Sequence, residues 1–132
     1  MTCSTEQQLL FVYGTLRRGF DGPMACWLAS VSQYRGIARA QGRLYRIDHY
    51  PGFVPGGAHW VAGDLLALSD APTILATLDA YEECAPHFPE PHEYRRERLL
   101  VESPSGPVAA WTYVYALDVG GLARIESGDF LD

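Results

Sequence analysis

Leu9-Leu10-Phe11-Val12-Tyr13-Gly14-Thr15-Leu16-Arg17-Arg18-Gly19 is the stretch around which the chain is organised. Leu9 to Tyr13 is a continuous apolar run with aromatic and β-branched members, bounded by turn chemistry, the pattern of a strand buried on both faces. A central strand is therefore expected, ending at Gly14. There glycine removes the side chain that would hold another group off the backbone, and Thr15 sets a hydroxyl beside it. Successive N–H groups at such a strand end can hold a carboxylate or a developing oxyanion with donors that need no reorganisation. The same residues also suit a plain tight turn.

Outward from this run, Phe20-Asp21-Gly22-Pro23 breaks the pattern, and residues 24–31 predict a short helix with Met24, Trp27, Leu28 and Val31 on one face. Residues 33–47 hold one or two strands, with Gly36 and Gly42 as bulges or bends. Tyr50-Pro51-Gly52-Phe53-Val54-Pro55-Gly56-Gly57 reads as a loop. Residues 60–68 return to strand, with Gly63 as a bulge. Ser69 or Asp70 caps a second helix with Pro72 in its first turn, running to about Glu83. Residues 84–92 carry three prolines and two histidines and form a loop long enough for a lid. Residues 94–102 and 108–115 make a hairpin. Strands outnumber helices, and several glycines interrupt strand patterns. An α+β fold is expected, a small curved or closed mixed sheet with helices packed against it, in a single domain over 1–132.

A chain of 132 residues suits one domain with a real core. Hydrophobic content is 48%, yet no apolar run approaches the ~18 residues of a membrane span. Formal net charge is −6, and the largest basic cluster, Arg95-Arg96 with Arg98, is interleaved by Glu93 and Glu97, which disfavours a nucleic-acid partner. The first residues lack a basic segment followed by an apolar one, so no signal peptide and a cytoplasmic location are expected. Cys3, Cys26 and Cys84 are never at C-x-x-C spacing, which argues against a disulfide framework and a structural zinc. Cys26, among apolar neighbours, is expected as a core thiol.

Glu82 is the most informative position. Ile74, Leu75, Leu78 and Tyr81 form one buried helical face, and 74, 78 and 82 lie on one i+4 row, so a carboxylate ends an apolar stripe. An ionised carboxylate there either reaches solvent, pairs with arginine, or has its pKa raised. The helix dipole at a C-terminus adds to the penalty. A raised pKa is what a proton-transferring carboxyl needs near neutral pH. Asp79 is placed to orient a neighbour or cap. Cys84, His87 and His92 match no metal-site spacing, and no nucleophile elbow or Walker loop is present. Neither metal nor cofactor is expected. Tyr50, Tyr113 and Tyr115 suit core or rim positions from which a hydroxyl can donate to a ligand.

Taken together, Tyr13-Gly14-Thr15-Leu16-Arg17-Arg18-Gly19, Gly42-x-Leu44-Tyr45, Tyr50-Pro51-Gly52, Val61-x-Gly63, Leu78-Asp79-x-Tyr81-Glu82, Tyr94-x-Arg96 and Ala110-x-x-Tyr113-x-Tyr115 resemble the γ-glutamylcyclotransferase-like superfamily, most closely the branch of γ-glutamylamine cyclotransferase and its bacterial relatives. The resemblance implies a small mixed β-barrel flanked by short helices, with a cavity between the Tyr-Gly-Thr-Leu loop and the second helix. It implies Glu82 as catalytic acid and base, and Tyr13, Gly14, Thr15 and Leu16 as the substrate cradle. A pocket tyrosine falls on Tyr115, with Tyr113 second. The implied reaction is cyclisation of a γ-glutamyl amine or peptide to 5-oxoproline, an intramolecular acyl transfer with lyase-type C–N cleavage. One departure stands out: many members have glycine after the glutamate, where this chain has Glu83. Two alternatives remain: a cyclotransferase dedicated to removing a γ-glutamyl group in biosynthesis, and a non-catalytic small-molecule binding domain. The latter predicts ligand binding without turnover and gains weight if Glu82 is salt-bridged to Arg96 or exposed to solvent.

Overall fold

A computed structural model describes residues 8–18 and 20–131; Cys3, Gly19 and the N-terminal segment used for the leader-peptide reading lie outside them. The elements run β1 (Leu9–Val12), α1 (Pro23–Ser30), β2 (Ser32–Arg46), β3 (Pro51–Leu68), α2 (Ala71–Tyr81), β4 (Tyr94–Ser103), β5 (Gly106–Tyr115) and β6 (Ala123–Arg124).

β1 is central, as its apolar run requires. It pairs antiparallel with β3 from Leu9↔Ala67 to Val12↔Asp64 and parallel with β5 at Leu10↔Trp111. Strand alternation then divides its side chains between two cores. Leu10 and Val12 join Leu28, Ile74, Leu75 and Leu78 in a cluster between sheet and helices. Phe11 and Tyr13 join Leu44, Phe53, Val61 and Val114 in a second cluster on the other face of the sheet. The sheet order is β3-β1-β5-β4-β2-β6, and β2 also pairs with β3. The pairings therefore close into a ring, which meets the expected closure of a mixed sheet.

Several local expectations change. The stretch over 50–57 is a strand from Pro51 onward, with Arg46↔Pro51 to Gly42↔Pro55 in register against β2. Its prolines and glycines suggested a loop, but Phe53 is fully buried against the open face of Gly42, so packing across the pair overrides composition. β2 is one long strand with register shifts after Tyr34 and after Gln41. Gly36, at φ +107°, sits in the first, and residues 56–59 bulge from β3 opposite the second. Gly63 is not a bulge: it stays in register with Ala38, and a Cβ there would meet the Phe11 ring at 2.7 Å. Cys26 is exposed rather than in the core. Ala25 and Leu28 define the buried face of α1, and a residue next to Ala25 turns about 100° away. The hairpin of β4 and β5 runs in unbroken register from Tyr94↔Tyr115 to Ser103↔Gly106.

Candidate active site

A cavity of about 940 Å³ opens between the β1 end, the start of α1, the C-terminus of α2 and the loop over 84–92. Tyr13, Gly14, Thr15, Leu16 and Glu82 all line it, so residues far apart in the chain converge on one space. Phe88, Pro89, Pro91 and His92 of the loop form one wall.

The β1 end is built by close packing. A Cβ on Gly14 would meet the Pro51 ring at 2.6 Å, so only glycine lets the chain turn there. Arg17 N–H donates to Gly14 carbonyl at 3.0 Å, closing the turn. Among the described residues, the N–H groups of Thr15 and Leu16 meet no protein acceptor. The Tyr13 hydroxyl does not serve the cavity: it donates to the Tyr113 carbonyl at 2.6 Å and accepts from Phe53 N–H at 3.3 Å. Tyr13 therefore fixes the strand end by its side chain. Leu16 is buried in the helix-side core, and Thr15 is half-buried.

Arg17 is buried, a structural role that its place in a polar loop does not announce. It pairs with Asp64 at 3.4 Å and with Asp129 at 2.8 Å, while Arg18 N–H donates to Asp64 Oδ2 at 2.7 Å. The signal available was Asp64 itself, a carboxylate inside the apolar run of β3.

Glu82 is the residue after α2, and its N–H donates to Leu78 carbonyl at 2.8 Å. Burial, and secondarily the charge of Glu93, push its carboxyl up from 4.5 to about 7. Among the described residues no donor or cation partners that carboxyl. Arg96 is occupied elsewhere: its Nε and Nη2 donate to the two Asp79 oxygens at 2.9 and 3.1 Å. Tyr113 hydroxyl donates to the same Asp79 Oδ1 at 2.7 Å. Burial pushes Asp79 up, but the Arg96 guanidinium and the Tyr113 hydroxyl more than reverse this and hold it below its ordinary range. Asp79 thus orients α2 and withdraws Arg96 from Glu82. Glu82 is thus neither paired with Arg96 nor fully exposed, the two arrangements that would add weight to a non-catalytic binding domain.

Tyr113 lines the cavity, whereas Tyr115 is not among its lining residues. Both lie on one face of β5, but Tyr115 sits two residues further along the strand, its ring 5.5 Å from that of Tyr94 and against Gly52. Tyr94 hydroxyl donates to Pro51 carbonyl at 2.6 Å. Sequence reasoning also missed Glu93, which lines the cavity and accepts from the Tyr50 hydroxyl at 2.8 Å. The Cys84 thiol is half-buried and pushed up to about 11 by burial and by Asp79, so it stays protonated. Among the described residues no group of three His, Cys, Asp or Glu converges to hold a metal, and no helix is long and apolar enough to cross a membrane.

Residues 10–132 match the family model described as γ-glutamyl cyclotransferase, AIG2-like. The chain is 37% identical over 123 residues to the γ-glutamylcyclotransferase family protein YtfP of Escherichia coli K12, covering 93% of this chain and 96% of that protein. The solution structure of the Escherichia coli protein superposes with a TM-score of 0.65 at 36% identity, over 95% and 97% of the two chains. An AIG2-like protein from Mus musculus superposes with a TM-score of 0.72 at 26% identity, over 92% and 88%. YkqA of Bacillus subtilis shares the fold with a TM-score of 0.72 at 24% identity; this chain is covered over 95% of its length but spans only 40% of that protein. With the ring-closed sheet, the glycine turn after β1 and the glutamate after α2 in one cavity, the match over nearly the whole length shows that this chain belongs to the γ-glutamyl cyclotransferase family, of the AIG2-like type.

Proposed function

We propose that the protein cyclises the γ-glutamyl group of a γ-glutamyl amine or peptide to 5-oxoproline, with Glu82 as general base and then general acid. The observation that carries this reading is a desolvated, unpaired carboxyl at about 7 beside a turn with free N–H donors. In such a substrate the α-amine is itself the nucleophile, so no protein nucleophile is required. The site must fold the substrate until nitrogen and γ-carbonyl carbon meet at about 3–3.5 Å, which intramolecular positioning rewards strongly.

The ionised Glu82 takes a proton from the α-ammonium, and the freed lone pair attacks the γ-carbonyl carbon. The C–N bond to the leaving amine then breaks as Glu82 returns the proton to the departing nitrogen. The second proton on the ring nitrogen then follows the same route through Glu82 to the departing amine. Two protons thus leave the attacking nitrogen and two reach the leaving one, so the products are the neutral lactam and an alkylammonium, and Glu82 is again ionised. In this reading the N–H groups of Thr15 and Leu16, which have no protein acceptor among the described residues, receive the α-carboxylate or the developing oxyanion. Gly14 gives access to that backbone, and Tyr115 acts indirectly by bracing Tyr94 against the cavity wall.

The test is mass-spectrometric detection of 5-oxoproline after incubation with γ-glutamyl amines, γ-glutamyl dipeptides and glutathione. Wild type releases 5-oxoproline from at least one class. Glu82→Gln folds normally and loses at least about a hundredfold in turnover, as expected for loss of a general acid/base. Near-normal turnover by that variant removes Glu82 from the mechanism.

A further inference from the structure

The cavity is one-sided in charge: Asp21, Glu82, Glu83 and Glu93 line it, together with two histidines and neither Lys nor Arg. Glu93 differs from the other carboxylates in being oriented. The Tyr50 hydroxyl holds its Oε2 at 2.8 Å, and the Ala116 N–H grips its carbonyl at 2.7 Å where β4 begins. Among the described residues its Oε1 has no hydrogen-bond partner. Beside it stand three lining rings in sequence, His49 to Tyr50 at 5.1 Å and Tyr50 to Tyr94 at 6.2 Å between centroids. A fixed carboxylate next to aromatic faces is the chemistry that recognises an ammonium group. A leaving group carrying a carboxylate would instead meet like charges with no counterion.

We propose that Glu93, held by Tyr50, is a specificity-determining residue that receives a second, positively charged nitrogen on the leaving amine, so that the preferred substrates are γ-glutamyl derivatives of diamines. This rests on reading the cavity as the γ-glutamyl site. Glu93 does not enter bond making or breaking. It selects the alkyl-ammonium arm, while Glu82 moves the protons.

The experiment compares three amides of the glutamate γ-carboxyl, made with 1,4-diaminobutane, with pentylamine as its neutral isostere, and with glycine. Wild type is expected to show kcat/KM at least about tenfold higher for the diaminobutane amide than for the pentyl amide, with the glycine amide poorest. In Glu93→Gln the diaminobutane-to-pentyl ratio falls to roughly threefold or less, mainly through KM for the charged amide. Tyr50→Phe, which frees Glu93 without removing it, lowers the ratio part way and gives a second handle if the first variant folds poorly. A wild-type ratio near one overturns the proposal. So does an unchanged ratio in Glu93→Gln with a shifted pH profile, because Glu93 would then only tune Glu82.

Glutaric acid monoamides of the same amines lack the α-amine and cannot cyclise, so their binding by calorimetry is independent of turnover. If no amide is cyclised but the aminobutyl glutaramide binds about tenfold tighter than the pentyl one, and only with Glu93 present, the proposal stands and the reaction reading falls. Equal binding of the two glutaramides overturns the proposal whatever the turnover.

Discussion

The Glu82 carboxyl occupies a place that opposes its charge three ways: burial first, the nearby Glu93 next, and the C-terminal end of the α2 dipole. Its pKa of about 7 in the fold lies above the 4.5 of an ordinary glutamate, so the folded chain binds the proton more tightly than the unfolded chain. The sign follows: this contribution to stability is fully present below about pH 4.5 and is lost as pH rises through about 7. The loss is on the order of 3 kcal/mol. Urea titrations should show wild type weakening between pH 5 and pH 8, while Glu82→Gln shows a flatter profile and exceeds wild type at pH 8. The activity profile should run the other way, with kcat/KM rising along a limb near pH 7 as the base ionises. A flat wild-type stability profile would mean that Glu82 is solvated. Glu82 was legible in the sequence because two apolar residues, Ile74 and Leu78, lead to it on one i+4 row. Glu93 was not, because its role depends on Tyr50, 43 residues away, and no local pattern sets it apart from Glu90.

Among the elements, α2 decides where Glu82 points, and its last turn is unusual. Glu83 N–H donates to Ala80 carbonyl at 3.1 Å and Cys84 N–H to Asp79 carbonyl at 2.9 Å, the paired bonds that close a helix when the next residue is left-handed. That residue is Glu83 at φ +58°, where glycine is normally used. Glu83→Gly should therefore raise stability by about 0.5–1 kcal/mol in urea unfolding at pH 7, relief of the left-handed strain outweighing the added freedom of the unfolded chain. A loss of stability would show that the Glu83 side chain makes up for its backbone. The departure at this position was visible in the sequence, and its physical meaning needed the backbone angle. Both helices and the β4 to β5 hairpin were readable because their signals are local: periodicity, caps and turn residues. β3 over 51–59 was not, because the reason it pairs is the gap left by Gly42 across the ladder.

At the scale of the molecule, closing the sheet brings the first loop, the middle of β3 and the C-terminal tail to one point. Arg17 is the tie: its side chain is 7% exposed and its two counterions are Asp64, 3% exposed, and Asp129, 35% exposed. The tail is seated nearby, Gly128 carbonyl accepting from Ala62 N–H at 2.8 Å. A buried guanidinium that loses its buried partner keeps its desolvation cost without the compensating attraction, a loss of about 3 kcal/mol or more. Asp64→Asn should thus destabilise by about 3 kcal/mol in urea unfolding and also lower kcat/KM, because Asp64 Oδ2 anchors Arg18 N–H and with it the turn that begins at Gly14. Asp129→Asn removes the more solvated partner and should cost about 1 kcal/mol or less, with little effect on the turn. The reverse ordering would make the tail the principal counterion and the β1 loop independent of β3. With the expected ordering, the turn at Gly14, which lines the same cavity as Glu82, owes its position to an ion pair at the far end of the same loop.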